Sequence, residues 1–131
     1  CSPLIDLPVV SVMRSKYGTY PEYHTSLDNL ELISPEGLGG AFNIISKCIE
    51  VIEINHTYIV TQSCEPQLGK RGLYRLDSTK TGADTINNLL AYLDGKTDLV
   101  DVSKIIGSDI FECNDTILDL LSHSLVKKVE A

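Results

Sequence analysis

Ser34-Pro35-Glu36 marks the start of a helix: a serine able to cap the first turn, a proline preset for the first helical position, and an acid at the positive end of the macrodipole. Leu38, Phe42, Ile45, Ile49 and Ile52 then recur at three- and four-residue spacing, so one apolar stripe runs to about Ile54. This amphipathic helix divides the chain into a loop-rich part before it and a run of short elements after it. Gly37, Gly39 and Gly40 weaken its first turn by roughly 1 kcal/mol each relative to alanine. They can instead let the helix approach a neighbour closely.

Ahead of the helix, the apolar run from Leu7 to Met13 reads as a buried strand. Ser15 to Leu30 holds Gly18, Pro21 and three tyrosines and follows neither the helical nor the strand period. A structured loop of that length in a compact domain is often functional. Behind the helix lie a short apolar run, Tyr58-Ile59-Val60, and a turn-rich connector from Cys64 to Arg75. Asp84 can cap a helix carrying Ile86, Leu89, Leu90 and Leu93, which Asp94-Gly95 ends. Asp98 starts a second with Val102, Ile105 and Ile106, stopped by Gly107. A third runs from about Glu112 to Ser122, and Leu125 to Val129 reads as a strand. Three short helices and a closing strand suggest a small winged-helix module, with the boundary between residues 66 and 82.

The chain has 131 residues, 43% of them hydrophobic, which suffices for a real core. No apolar run reaches the length of a membrane span, so no membrane partner is expected. The sequence begins Cys-Ser-Pro without a methionine or a leader and reads as a piece of a longer polypeptide. Net charge is -7, which disfavours nucleic acid as a partner. Cys1, Cys48, Cys64 and Cys113 are widely spread and form no Cys-x-x-Cys pair. Reduced thiols and a cytoplasmic location are the expectation.

Several residues carry candidate chemistry. His24 lies in the long loop with Asp28 four residues on. Imidazole is the commonest protein metal ligand, yet a lone loop histidine is more often a surface residue. Arg14, Lys16, Tyr17, Tyr20 and Tyr23 cluster around the same loop. They either meet a substrate carboxylate or oxyanion or pack the loop on its own aromatics. Asp28 either orients the loop through its backbone or contributes directly to chemistry. Lys70, Arg71 and Arg75 form a basic cluster in the connector, either contacting an anionic group or tying the two modules together.

Tyr20-Pro21-Glu22-Tyr23-His24-Thr25-Ser26-Leu27-Asp28 resembles the last metal-ligand segment of the two-zinc aminopeptidase family. Leu7-Pro8, Met13-Arg14, Ser34-Pro35-Glu36 and the block from Cys64 to Tyr74 extend the likeness to a subfamily associated with surface-polysaccharide genes, whose members end in a winged-helix domain. The resemblance implies an α/β fold: residues 1–75 as the C-terminal part of a zinc-exopeptidase-type domain with a parallel sheet, and residues 76–131 as a winged helix-turn-helix module. It implies His24 as a ligand to one of two zinc ions and Asp28 in a supporting position. Arg14, Tyr20, Tyr23 and Arg71 are then substrate-binding candidates. The remaining ligands and the general base would lie upstream, in the rest of the catalytic domain, which becomes the first expected partner. Zinc needs three or more protein ligands, so this chain alone is expected to bind zinc weakly and to catalyse nothing.

The third helix of the module bears Glu112, Asp115 and Asp119 and no basic residue before Lys127. Acids at the recognition position repel phosphates, so protein contact or homodimerisation is the expected use of the module. The alternative to a hydrolase is therefore a winged-helix binding module joined to a non-catalytic remnant.

Overall fold

The computed structural model describes residues 3–73 and 81–130, and it divides into two compact units, 1–49 and 50–131. The first unit is mostly turns followed by the long helix. Helix α1 spans Pro35–Ile54, as the stripe predicts. Ser34 Oγ accepts the Gly37 amide at 3.0 Å, the cap that the sequence calls for. The apolar stripe itself is uncovered: Phe42 and Ile52 are each 70% exposed, and no residue of α1 is buried.

The strand expected over Leu7 to Met13 is not formed among the described residues. A segment that is apolar on both faces needs a neighbouring strand on each edge and cover above and below. These residues have none, and Val10 stands 84% exposed.

The second unit has a three-stranded antiparallel sheet with strand order β2-β1-β3. Strand β1 (Thr57–Val60) is central, β2 (Asp94–Asp98) lies on one side and β3 (Val126–Lys128) on the other. Thr57 stands opposite Asp98, and Val60 opposite Val126. Among the described residues, three α-helices complete the unit: α2 (Thr81–Tyr92), α3 (Leu99–Ile106) and α4 (Ile110–Ser122). The order of short helices and the final strand agrees with the sequence pattern. Asp98 caps α3 by accepting the Asp101 amide, and Gly107 closes it in the left-handed conformation with its amide on Ser103 O. Helix α2 begins three residues before Asp84, whose side chain, the expected cap, lies outside the described residues.

Strand β2 is the element that the pattern misses. Asp-Gly-Lys-Thr-Asp has low β-propensity and reads as a turn. Pairing to β1 overrides that, and Gly95 makes the pairing fit. Its φ is +79°, and a Cβ there would stand 3.1 Å from Ile59 Cδ1.

Leu68, Leu89, Leu99, Val102, Cys113, Ile117, Leu120 and Leu125 are fully buried, and Tyr58, Leu73 and Val126 join them in one core. Leu68 and Leu73 come from the connector, where a short 3-10 turn at Gly69–Arg71 bends the chain. The connector therefore folds with the helices. The contact division falls between residues 49 and 50, and the expected boundary at residues 75/76 lies outside the described residues.

Candidate functional site

Residues 16–32 are a succession of turns, each closed by a hydrogen bond. Tyr23 N donates to Tyr20 O with Pro21 between them, the position where proline favours a turn. Thr25 then organises the next two turns. Its amide and hydroxyl both reach Glu22 O, at 3.0 and 2.8 Å, while its Oγ1 accepts the Leu27 amide at 3.2 Å. Asn29 Oδ1 holds the Glu31 amide at 2.8 Å.

His24 occupies the third position of the Glu22–Thr25 turn with φ +57°. Turns of this kind ask for positive φ at that position, which usually selects glycine or asparagine. Strained non-glycine residues of this sort concentrate at functional sites. The ring is exposed at the loop surface and backed by Tyr23, whose centroid is 4.2 Å away. Tyr23 also meets Tyr20 edge-on at 5.8 Å and Tyr17 at 5.9 Å, so its ring is the hub of an aromatic cluster.

Arg14 approaches the loop from the helix side. Its Nη1 lies 3.4 Å from the positions that a Cβ would take on Gly37 and Gly40, and it donates to Glu36 O at 3.5 Å. The close approach that the glycines allow is thus to a guanidinium. Arg14 and Tyr20 line one open cavity of about 430 Å³ with Met13, Ser15, Glu22 and Leu32.

The structure thus brings Arg14 and Tyr20 to one cavity and joins Tyr20, Tyr23 and His24 through ring contacts. Asp28 contributes a backbone bond, its amide donating to Thr25 O at 3.2 Å, and no bond of its carboxylate is present among the described residues. The loop-ordering side chains are Thr25 and Asn29. Arg71 belongs to the second unit, where its Nη1 donates to Gln67 O at 3.2 Å. Glu22 was not among the sequence candidates, because nothing in the spacing separates it from a solvated turn acid.

Among the described residues, no three His, Cys, Asp or Glu side chains converge so that they could hold a metal. His24 supplies one donor, and one donor does not make a zinc site.

Helix α4 stands where a recognition helix stands in a helix-turn-helix. It turns Glu112, Asp115 and Asp119 to solvent, and it carries no basic residue.

Residues 1–55 match the model of a domain of unknown function, DUF4910. A Clostridium acetobutylicum protein named "Putative polysaccharide biosynthesis protein with aminopeptidase-like domain" is 42% identical over 109 residues, which is 78% of this chain and 24% of that protein. The crystal structure of a "putative peptidase" from the same organism superposes with a TM-score of 0.76 at 34% identity, over 89% of this chain and 26% of that one. The chain therefore spans about a quarter of the length of either relative. Residues 56–128, more than half of the chain, match the winged helix-turn-helix model, and through them the chain belongs to the winged helix-turn-helix family.

Proposed function

We propose that residues 1–55 are part of an aminopeptidase-like, zinc-dependent hydrolase domain that continues outside these 131 residues, and that His24 gives this domain one zinc ligand. The observation that carries the reading is the His24 turn, in which a histidine takes a left-handed conformation while Tyr23 backs its exposed ring. Non-glycine residues held at positive φ concentrate at functional sites, which supports a role for the side chain. The named relatives support the hydrolase class. Bound zinc polarises a carbonyl and makes water a nucleophile near neutral pH. This chain contributes one donor and the walls of the loop, and alone it catalyses nothing. The substrate class is an amide, carried by a peptide or by an amide-bearing sugar precursor of polysaccharide synthesis. We place the protein in the cytoplasm, where exposed thiols such as Cys48 and Cys64 stay reduced.

The test compares zinc content and amide hydrolysis in the longer polypeptide, wild type against His24→Ala. Loss of zinc and of turnover supports the reading, and unchanged zinc content removes His24 from the ligand set.

A second reading concerns the winged module. The acids on the outer face of α4 favour contact with protein, including a second copy of the chain, over contact with DNA. If the longer polypeptide lacks the remaining His, Asp and Glu ligands, this contact role is what the protein keeps.

A further inference from the structure

The 3-10 turn at Gly69–Arg71 carries two neighbouring cations, Lys70 and Arg71, on the second unit. The turn is a firm mount. Leu68 and Leu73, on either side of it, are buried in the core, and the Arg71 and Leu73 amides both donate to Leu68 O, at 3.0 and 3.1 Å. Arg71 Nη1 is tethered to Gln67 O at 3.2 Å, while Lys70 stands exposed. Among the described residues, neither forms an ion pair. The other lysines of the unit are placed differently. Lys104 is paired with Asp101 at 2.9 Å, and Lys96 lies by itself on β2. Lys127 and Lys128 are consecutive on β3, so they lie on opposite faces of the sheet. Among the described residues of the unit, Lys70 and Arg71 are thus the cations placed to address one surface together.

Helix α4 offers a face of opposite sign. Cys113, Ile117 and Leu120 fill the core from its inner side. Glu112, Asp115 and Asp119 share the outer side with Leu118, which is 55% exposed. An exposed leucine among carboxylates makes that face apolar at its centre and negative around it, which suits a cationic protein surface. We propose that the second unit docks on a second copy of itself, the Lys70–Arg71 turn of each copy seated on the outer face of the other's α4. Both patches belong to one chain, so a two-fold axis can satisfy both contacts at once and close the assembly as a dimer. The guanidinium fork of Arg71 suits a carboxylate, and Lys70 adds a point charge. Exposed ion pairs are individually weak, so the dimer is weak and sensitive to salt. This names a partner for the winged module and rests on the protein-contact reading of that module.

Sedimentation equilibrium of the full chain tests it. Wild type should dimerise reversibly with a Kd between roughly 10 µM and 1 mM at about 50 mM NaCl, and at least about tenfold more weakly at about 500 mM. The pair Lys70→Glu, Arg71→Glu should be monomeric, and so should the pair Glu112→Lys, Asp115→Lys. Mixing these two variants restores opposite charges at both contacts and should give a one-to-one heterodimer with the affinity of the wild-type dimer. Misfolded variants would not recover in the mixture, so recovery separates a lost contact from a lost fold. Should circular dichroism show either pair unfolded, the single variants Lys70→Glu and Asp115→Lys take their place. A wild type that stays monomeric up to about 1 mM overturns the proposal, as does a mixture that forms no heterodimer. Association that persists in either reversed variant, or that holds as salt rises, overturns it too and belongs to the exposed apolar stripe of α1. The protein-contact reading falls separately, on DNA binding by the wild type in a gel shift. With no DNA bound, a monomeric wild type removes the second copy as partner and leaves that reading standing.

Discussion

The carboxamide oxygen of Asn55 accepts the backbone amide of Val100 at 2.9 Å, across 45 residues of sequence. Asn55 lies just past the end of α1, and Val100 is in the first turn of α3. The neighbouring amides are met as well: Leu99 N donates to His56 O at 3.0 Å, and Asp101 N to Asp98 Oδ1 at 2.9 Å. Three of the four unpaired amides at the start of α3 thus find acceptors, two of them on the segment that leads into β1.

Asn55→Ala should therefore destabilise the second unit by about 1 kcal/mol, the usual cost of a lost cap. Urea denaturation followed by far-ultraviolet circular dichroism measures it. An unchanged midpoint would show that water replaces the carboxamide at no cost.

Burial, and then the negative charges of Glu112 and Asp109, push the Cys113 thiol up to about 11 from its ordinary 9.0. The folded state holds the proton more tightly than the unfolded state. This contribution to stability is therefore fully present below about pH 9 and is lost as pH rises towards 11. Burial raises Tyr58 as well, with the same sign. Cys113→Ala should cost about 1–2 kcal/mol at neutral pH through lost packing, yet flatten the alkaline limb of stability against pH. Denaturant midpoints at pH 8 and pH 10.5 check it; equal alkaline losses in wild type and variant would be incompatible with this account.

What was legible in the sequence was whatever is encoded locally. Ser34, Asp98 and Gly107 sit at helix ends because their side chains or backbone freedom act within one turn, and the sequence names them directly. Strand β2 was hidden because its residues are held by β1, some 40 residues away, against their own preference. The run from Leu7 to Met13 failed in the opposite sense: its composition asks for a buried strand, but burial needs partners that these residues do not supply. At the loop, the motif pointed to His24 but not to the contact of Arg14 with Gly37 and Gly40, which depends on how the segment folds back on α1. Glu22 became a candidate only once the cavity existed.

The acids of α4 make a prediction about DNA. A gel-shift titration of the wild-type chain at low salt should show no retarded species. The triple variant Glu112→Lys, Asp115→Lys, Asp119→Lys should gain weak, sequence-independent binding that falls steeply with salt. Tight binding by the wild type would overturn the protein-contact reading of the module.

The backbone at His24 separates two roles that a single alanine variant would confuse. At φ +57° an L-residue with a Cβ is strained by about 1 kcal/mol or more, and glycine is not. His24→Gly therefore removes the imidazole while relaxing the turn, whereas His24→Ala removes the imidazole and keeps the strain. If the ring is a zinc ligand in the longer polypeptide, both variants lose zinc equally, and only the glycine variant unfolds at a higher temperature than the alanine variant. If the ring merely packs on Tyr23, zinc content is unchanged in both and the stability difference is all that remains. Metal analysis beside thermal unfolding of the three proteins reads the two quantities independently. A glycine variant that retains zinc would leave the left-handed histidine as a turn residue without a ligand role.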